Sequence, residues 1–482
     1  MRPNFLTLTD GYKLDHRRQY PEDTRFVYSN FTPRASRIEG QSKVVFFGLQ
    51  YYLRRYLMEI ASETFFSQSQ KEVTAYYKRR VDGYLGPNSI GINHICDLHS
   101  LGYIPLRFWA LPEGAHVPLR VPMFTFQNTL REFYWLTNYI ETSLSNTLWL
   151  PCTSATTAYR YRRLFDRFAL LTGGDPAFVD WQGHDFSFRG MGATEAAALS
   201  GAGHLLSFLG TDTLPAIDLL EDYYGATIGG SVAATEHSVM CAGSQGGELE
   251  TFQRLLNLYP SGVVSVVSDT WDLWKVIDQI LPSLKDSIMA REGKLVIRPD
   301  SGDPVEILCG SKRQGPGVIE RLWEHFGGTI KDGFRHLDTH IGAIYGDSIT
   351  ELRAQQILSK LQQLGFASTN VVLGIGSYTY QYTTRDTYGF AVKATWADIG
   401  GQERMLSKNP VTDDGTKKSA CGRLAVYKTT EGAYKLLDNN RMDEGIEFSP
   451  DNQLKEVWAN GKFTVHNNDN SLNAIRQRVK EG

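Results

Sequence analysis

Between about residues 150 and 390 the chain alternates short apolar runs with stretches of helical spacing. Each apolar run ends in polar or glycine residues, the pattern of a buried strand leading into a helix. Four such units are legible. Val263–Val267 is followed by Ser268 and Asp269 and then by a helical pattern. Leu295–Ile297 is followed by Arg298, Pro299, Asp300, Ser301 and Gly302. A run near Ile341–Tyr345 ends in Gly346 and Asp347, ahead of a helix that Ser348 or Thr350 can cap. Asn370–Leu373 ends in Gly374, Ile375, Gly376 and Ser377. Parallel βα units bring the C-terminal ends of their strands to one face, where α/β folds carry their sites. Asp269, Arg298, Asp300, Gly346, Asp347, Gly376 and Ser377 are therefore expected to share one pocket.

The flanks read differently. Val44–Ala61 has amphipathic helical spacing, with Arg54 and Arg55 on its wet face. Residues 100–130 alternate in the manner of strands, and Arg131–Trp149 returns to helical spacing with an aromatic, core-type stripe. Two helical patterns built on small residues, Thr194–Phe208 and Leu214–Tyr224, precede the four units. Beyond about residue 390 strands return, with a hairpin turning at Thr-Glu-Gly, a polar loop at Val411–Gly422 and a charged, helix-like end. This tail is more like residues 100–130 than like the middle. The organisation predicted is a discontinuous β-rich α+β domain from 1–150 and 390–482 around a (β/α) barrel-like catalytic domain at 151–389.

At 482 residues, 41% of them hydrophobic, the chain can build large cores. Its net charge of −3 gives no electrostatic reason to expect nucleic acid as a partner. Five widely spaced cysteines without a C-x-x-C suit a reducing compartment better than a disulfide framework or a zinc site. No apolar run reaches the roughly 18 residues of a membrane span, and the N-terminus carries no signal-peptide pattern. A cytoplasmic protein is expected.

Candidate chemistry concentrates at 183–238. HDFSFRG offers an aromatic ring, Phe186, and a cation, Arg189. GTD places Asp212 after a glycine turn, where it can serve a site or cap the next helix. TEHS sets Glu236 beside His237, which can be structural, a general base or a phosphoryl acceptor. Together these groups suit a charged aromatic substrate. Farther on, RPDSGDP packs Arg298, Asp300, Ser301 and Asp303 into one turn, fit for ribose hydroxyls or Mg²⁺ and phosphate, or for capping a helix. Gly374–Ser377 can present backbone N–H groups to an anion, and Arg385 can add a forked contact. His336 and His340 stand four apart, a spacing that serves a metal on a helix, but no third ligand lies near. Tyr12, in TDGYK, can pack its ring or offer it to a partner.

HDF-x-x-RG, GTDT and EHS, in that order and flanked by TDGYK and CGRL at the chain's two ends, resemble the nicotinamide phosphoribosyltransferase family over nearly the whole sequence. The resemblance implies an irregular barrel of the type II phosphoribosyltransferase kind. It implies transfer of a phosphoribosyl group from phosphoribosyl pyrophosphate to nicotinamide, with Mg²⁺ and with ATP as co-substrate, in a homodimer whose active sites lie at the interface. It implies that Phe186 and Tyr12 of a second subunit sandwich the pyridine ring, and that Asp212 accepts from the carboxamide. Arg189 and Arg298 would hold phosphate or pyrophosphate, Asp300 the ribose hydroxyls, and Asp269 Mg²⁺ or the sugar. Gly346, Asp347, Gly376, Ser377 and Arg385 would bind the 5′-phosphate end, with Lys393 as a further basic contact. His237 would be phosphorylated by ATP. GIGSYTY has fewer glycines than the family's run at this point, and basic contacts at Lys408, Lys417 or Lys418 align poorly. A nicotinate-using enzyme and a non-catalytic binding protein on the same fold are the alternatives.

Overall fold

The computed structural model describes residues 3–346, 348–407, 420–438, 451–464 and 470–482. These separate into two compact units. One comprises 1–153, 222–226 and 383–482; the other comprises 154–221 and 227–382.

The second unit is a parallel α/β sheet. Its strands are β1 (Gly183–Asp185), β2 (Gly210–Thr211), β3 (Ala233–Ala234), β4 (Ser261–Val267), β5 (Glu292–Arg298), β6 (Ile341–Tyr345) and β7 (Val371–Ile375). Their order is β2-β1-β7-β6-β5-β4-β3. Every pairing is parallel. The sheet's two ends meet at a parallel bridge, Gly210 with Gly230, where Thr211 N donates to Gly230 O (3.0 Å) and Gly230 N to Leu209 O (2.9 Å). The curl follows from covering. Strand β6 is buried along its whole length, and helices such as Val318–Phe326 and Glu351–Gln363 bury apolar faces alongside it. Strands buried on both faces need continuous apolar runs, which is why these read so plainly in the sequence.

The first unit holds an antiparallel sheet of seven strands drawn from both ends of the chain. Its order is Gln402–Met405, Phe390–Ile399, Thr24–Pro33, Phe124–Asn128, Leu106–Ala110, Lys455–Ala459 and Lys462–Phe463. Phenylalanines ladder across it. Phe31 stacks on Phe124 (5.2 Å between centroids) and on Phe390 (5.1 Å), and Phe108 stacks on Phe126 (5.0 Å). Cross-strand ring pairs of this kind fix register, because a slip of one residue would turn every ring to the other face.

Several elements differ from the sequence reading. Val44–Ala61 is not one helix. Lys43–Val45 is a strand, the helix starts at Leu49, and Leu53–Ile60 is π-helical, with Gly48 in a left-handed conformation (φ 106°) making the corner. The helix read as Arg131–Trp149 runs from Leu136 to Leu171 straight through Pro151. His336 lies within the strand Phe334–Leu337 rather than on a helix, and His340 pairs with Asp338 (2.6 Å). Among the described residues no group of three or more His, Cys, Asp or Glu could hold a metal. No helix among them is long and apolar enough to cross a membrane. Asp347, Lys408, Lys417 and Lys418 lie outside the described residues.

Candidate active site

The barrel unit collects polar side chains at the C-terminal ends of its strands. Asp269 follows β4 and is almost enclosed, its side chain 5% exposed. Its Oδ2 accepts from Asp300 N (2.8 Å), Ser301 N (2.7 Å) and the Ser301 hydroxyl (2.5 Å), which locks the turn after β5 onto the end of β4. Its Oδ1 is buried with no hydrogen-bond partner among the described residues. His237 faces that oxygen from the start of the helix His237–Ala242. Its Nε2 is 3.8 Å from Asp269 Oδ1 and 3.9 Å from Asp300 Oδ2, and its Nδ1 meets the Thr270 hydroxyl at 3.1 Å. Glu236, its neighbour in sequence, turns to Ser238 instead.

Arg298 ends β5. Its Nη2 donates to Thr235 O (2.7 Å), and its Nε lies 3.8 Å from Asp300 Oδ1. The turn divides its two carboxylates between tasks. Asp303 caps the helix Pro304–Cys309 by accepting from Val305 N and Glu306 N, which releases Asp300 from capping. Gly346 packs against this cluster so closely that a β-carbon there would sit 2.6 Å from Asp300 Oδ1.

The strand read as Asn370–Leu373 reaches into the GIGS segment. Gly374 and Ile375 are the last residues of β7, and the turn begins at Gly376. A β-carbon on Gly374 would lie 2.6 Å from the Phe186 ring, so this glycine exists to seat that ring. Phe186 N donates to Ile375 O (3.1 Å). Ser377 abuts Gly190, next to Arg189, leaving no room for a β-carbon. Arg189 itself is exposed.

Asp212 stands just past β2. Its Oδ1 is 3.0 Å from His184 Nε2. A carboxylate only accepts, so Nε2 is the protonated nitrogen of the pair. Burial works to raise the pKa of Asp212, but hydrogen bonds from His184 and Ser231 and the charge of Arg298 outweigh it, leaving the carboxyl below its ordinary value. The His184 ring lies 4.5 Å from that of Phe186. Beneath them, His204 is fully enclosed: Nε2 donates to Gly210 O (3.1 Å) and Nδ1 accepts from the Tyr380 hydroxyl (2.7 Å). Burial pushes His204 down to about 4, which keeps it the neutral imidazole that this donor–acceptor pair requires.

A cavity of about 730 Å³ runs from this end into the barrel, with His184, Phe186, Asp212, Ser231 and Arg298 in its wall and apolar residues such as Val263, Val296 and Ile344 along it. A shallower pocket of about 560 Å³ opens between Phe186, Arg189 and Asp212. The arrangement suits a flat, uncharged ring with a hydrogen-bond donor, next to an anionic and hydroxylated group.

Residues 181–462 match the nicotinate phosphoribosyltransferase (NAPRTase) family, and residues 4–107 match the nicotinamide phosphoribosyltransferase N-terminal domain. The whole chain is 50% identical, across 98% of the other protein, to one from Acinetobacter baylyi named nicotinamide phosphoribosyltransferase. A protein of the same name from Mycoplasma pneumoniae is 36% identical over 87% of this chain and 94% of its own. The chain belongs to the nicotinamide phosphoribosyltransferase family. At the level of fold, a nicotinate-nucleotide pyrophosphorylase from Pyrococcus furiosus superposes with a TM-score of 0.61 at 15% identity, covering 99% of this chain and 95% of the other.

Among the residues that family likeness singles out, the barrel unit brings together Phe186, Asp212, His237, Asp269, Arg298, Asp300 and Gly346, with Ser377 beside Gly190. Among the described residues, the backbone hydrogen bonds of Gly376 stay within its own turn. Tyr12, Arg385 and Lys393 belong to the other unit. There Tyr12 is 60% exposed, Arg385 pairs with Asp386 (3.2 Å), and Lys393 lies 3.9 Å from Glu141, which also binds the buried Lys13 at 3.0 Å. Sequence reasoning missed His184, Ser231 and the Thr235 carbonyl. Only His184 left a signal, as the first residue of the HDF motif.

Proposed function

We propose that the protein joins nicotinamide to 5-phosphoribosyl 1-pyrophosphate, giving nicotinamide mononucleotide and pyrophosphate, as a cytoplasmic enzyme of NAD salvage. The observation that carries this reading is Asp212, a carboxylate of lowered pKa in the wall that also holds Phe186 and Arg298. It accepts from the carboxamide NH₂ while Phe186 stacks on the ring. Nicotinate would set its own carboxylate against Asp212, a repulsion of a few kcal/mol at low effective dielectric.

In the reaction, the C1–oxygen bond of the sugar breaks with its electron pair leaving on pyrophosphate. The pyridine nitrogen's lone pair makes the new N–C1 bond. Positive charge develops on the sugar, and negative charge develops on the leaving group. Arg298 and Arg189 hold the anionic ends, and Asp300 binds ribose hydroxyls. Gly346, Gly376 and Ser377 take the 5′-phosphate. The residues present fit Mg²⁺: Asp269 keeps a buried oxygen without a partner among the described residues, and Asp300 is beside it. Two carboxylates are what Mg²⁺ borrows from a protein when substrate phosphates complete its shell. When bound it would offset the charge of the leaving pyrophosphate.

His237, 48% exposed between Asp269 and Asp300, is the acceptor for ATP coupling. Its imidazole takes the γ-phosphoryl group, ADP leaves, and water later releases phosphate. The reading is completed by a homodimer in which the second copy supplies Tyr12, with Arg385 and Lys393 as further phosphate contacts. The test is to incubate the protein with nicotinamide or nicotinate, phosphoribosyl pyrophosphate and Mg²⁺, with and without ATP, and to identify the nucleotide formed. Nicotinate mononucleotide as the preferred product, or no nucleotide, would overturn the assignment.

A further inference from the structure

We propose that His184 is a specificity-determining positioning residue, which fixes how Asp212 meets the substrate amide. This rests on the proposed reaction. The two side chains are mounted on adjacent strands. His184 pairs with Gly210 and Asp185 with Thr211 in the parallel β1–β2 register, and Asp212 N donates to Asp185 O (3.0 Å). Backbone hydrogen bonds therefore set the spacing across which His184 Nε2 reaches Asp212 Oδ1 at 3.0 Å.

The imidazole is itself held in place. It is buried, it lies 4.5 Å from the Phe186 ring, and a β-carbon at position 210 would come within 2.7 Å of its Nδ1. Glycine at the first position of GTD is what lets the ring lie there. With Nε2–H committed to Oδ1, Asp212 cannot rotate freely, and its remaining acceptor sites are aimed rather than averaged. The donor also favours the ionised carboxylate, the form that accepts from an amide and repels an acid. His184, Phe186 and Asp212 line the same cavity, so ring platform, acceptor and positioning group move as one.

Steady-state kinetics of wild type, His184→Leu and His184→Gln, with nicotinamide and with nicotinate, test this. Loss of a hydrogen bond to a charged group weakens binding by about tenfold or more. The leucine variant should show that rise in KM for nicotinamide, with the loss falling more on KM than on kcat. Its KM for phosphoribosyl pyrophosphate should hold, and its preference over nicotinate should shrink. The glutamine variant, whose Nε2 can donate to the same oxygen, should recover most of both. A folded leucine variant with wild-type KM and preference overturns the proposal. If leucine prevents folding, the proposal falls when the glutamine variant folds but shows a nicotinamide KM raised about tenfold and a reduced preference over nicotinate. A wild-type protein that makes no nucleotide from nicotinamide defeats the proposed reaction itself, which separates the two failures.

Discussion

Replacing Gly374 by alanine asks whether Phe186 works as a platform. The new β-carbon would sit 2.6 and 2.9 Å from two carbons of the Phe186 ring. Ordinary carbon–carbon contact is about 3.5–4.0 Å, so the ring must retreat by roughly 1 Å. Overpacking of this size costs about 1–3 kcal/mol of stability, which the thermal midpoint reads. The catalytic consequence is separate. A ring stacked on Phe186 gains about 0.5–1.5 kcal/mol from geometry beyond area alone. Losing that contact raises the nicotinamide KM about 2- to 12-fold, at 1.4 kcal/mol per decade. Initial rates at varied nicotinamide, then at varied phosphoribosyl pyrophosphate, separate the effects: the first KM should rise and the second should hold. An alanine variant of lowered thermal midpoint with an unchanged nicotinamide KM would refute the platform role.

Asp212→Asn should relax the preference for nicotinamide over nicotinate by at least an order of magnitude, read as the ratio of the two kcat/KM values; full retention of preference would remove the charge argument. Acid should weaken the fold through His204. Its native pKa of about 4 lies below the unfolded 6.5, so between those values the unfolded chain holds more protons and stability rises with pH. Acidification from pH 6.5 to 4 should cost about 3 kcal/mol that His204→Asn does not lose, and parallel denaturation curves for the two proteins would contradict this. His237→Ala should abolish stimulation by ATP while leaving ATP-independent nucleotide formation measurable; stimulation that persists would place the phosphoryl acceptor elsewhere.

Four of the seven parallel strands were legible because each carries a buried apolar run, Ile341–Tyr345 most plainly. The other three are two or three residues long, too short for any periodicity to register. The extent of the helix read as Arg131–Trp149 was not legible, because a proline normally ends a helix, whereas Leu136–Leu171 continues through Pro151. In the site, Asp300 and Asp303 looked equivalent in one turn. The following Pro304 held the clue, since proline favours the first helical position and so marks Asp303 as the cap. Adjacency decides nothing at TEHS: Glu236 is next to His237 in sequence, yet the carboxylates near its ring come from Asp269 and Asp300, 32 and more residues away. His184 escaped notice for the same reason, because its partner Asp212 follows 28 residues later.

The barrel's closure between Gly210 and Gly230 rests on two backbone hydrogen bonds, where other neighbouring strands share longer ladders. It is thus the cheapest line along which the cylinder can unzip. Asp212 and Ser231 flank it, one on each lip. Asp212 is hydrogen-bonded to Ser231 across the seam, so the side chain offered to the substrate ring also ties the two ends of the cylinder together.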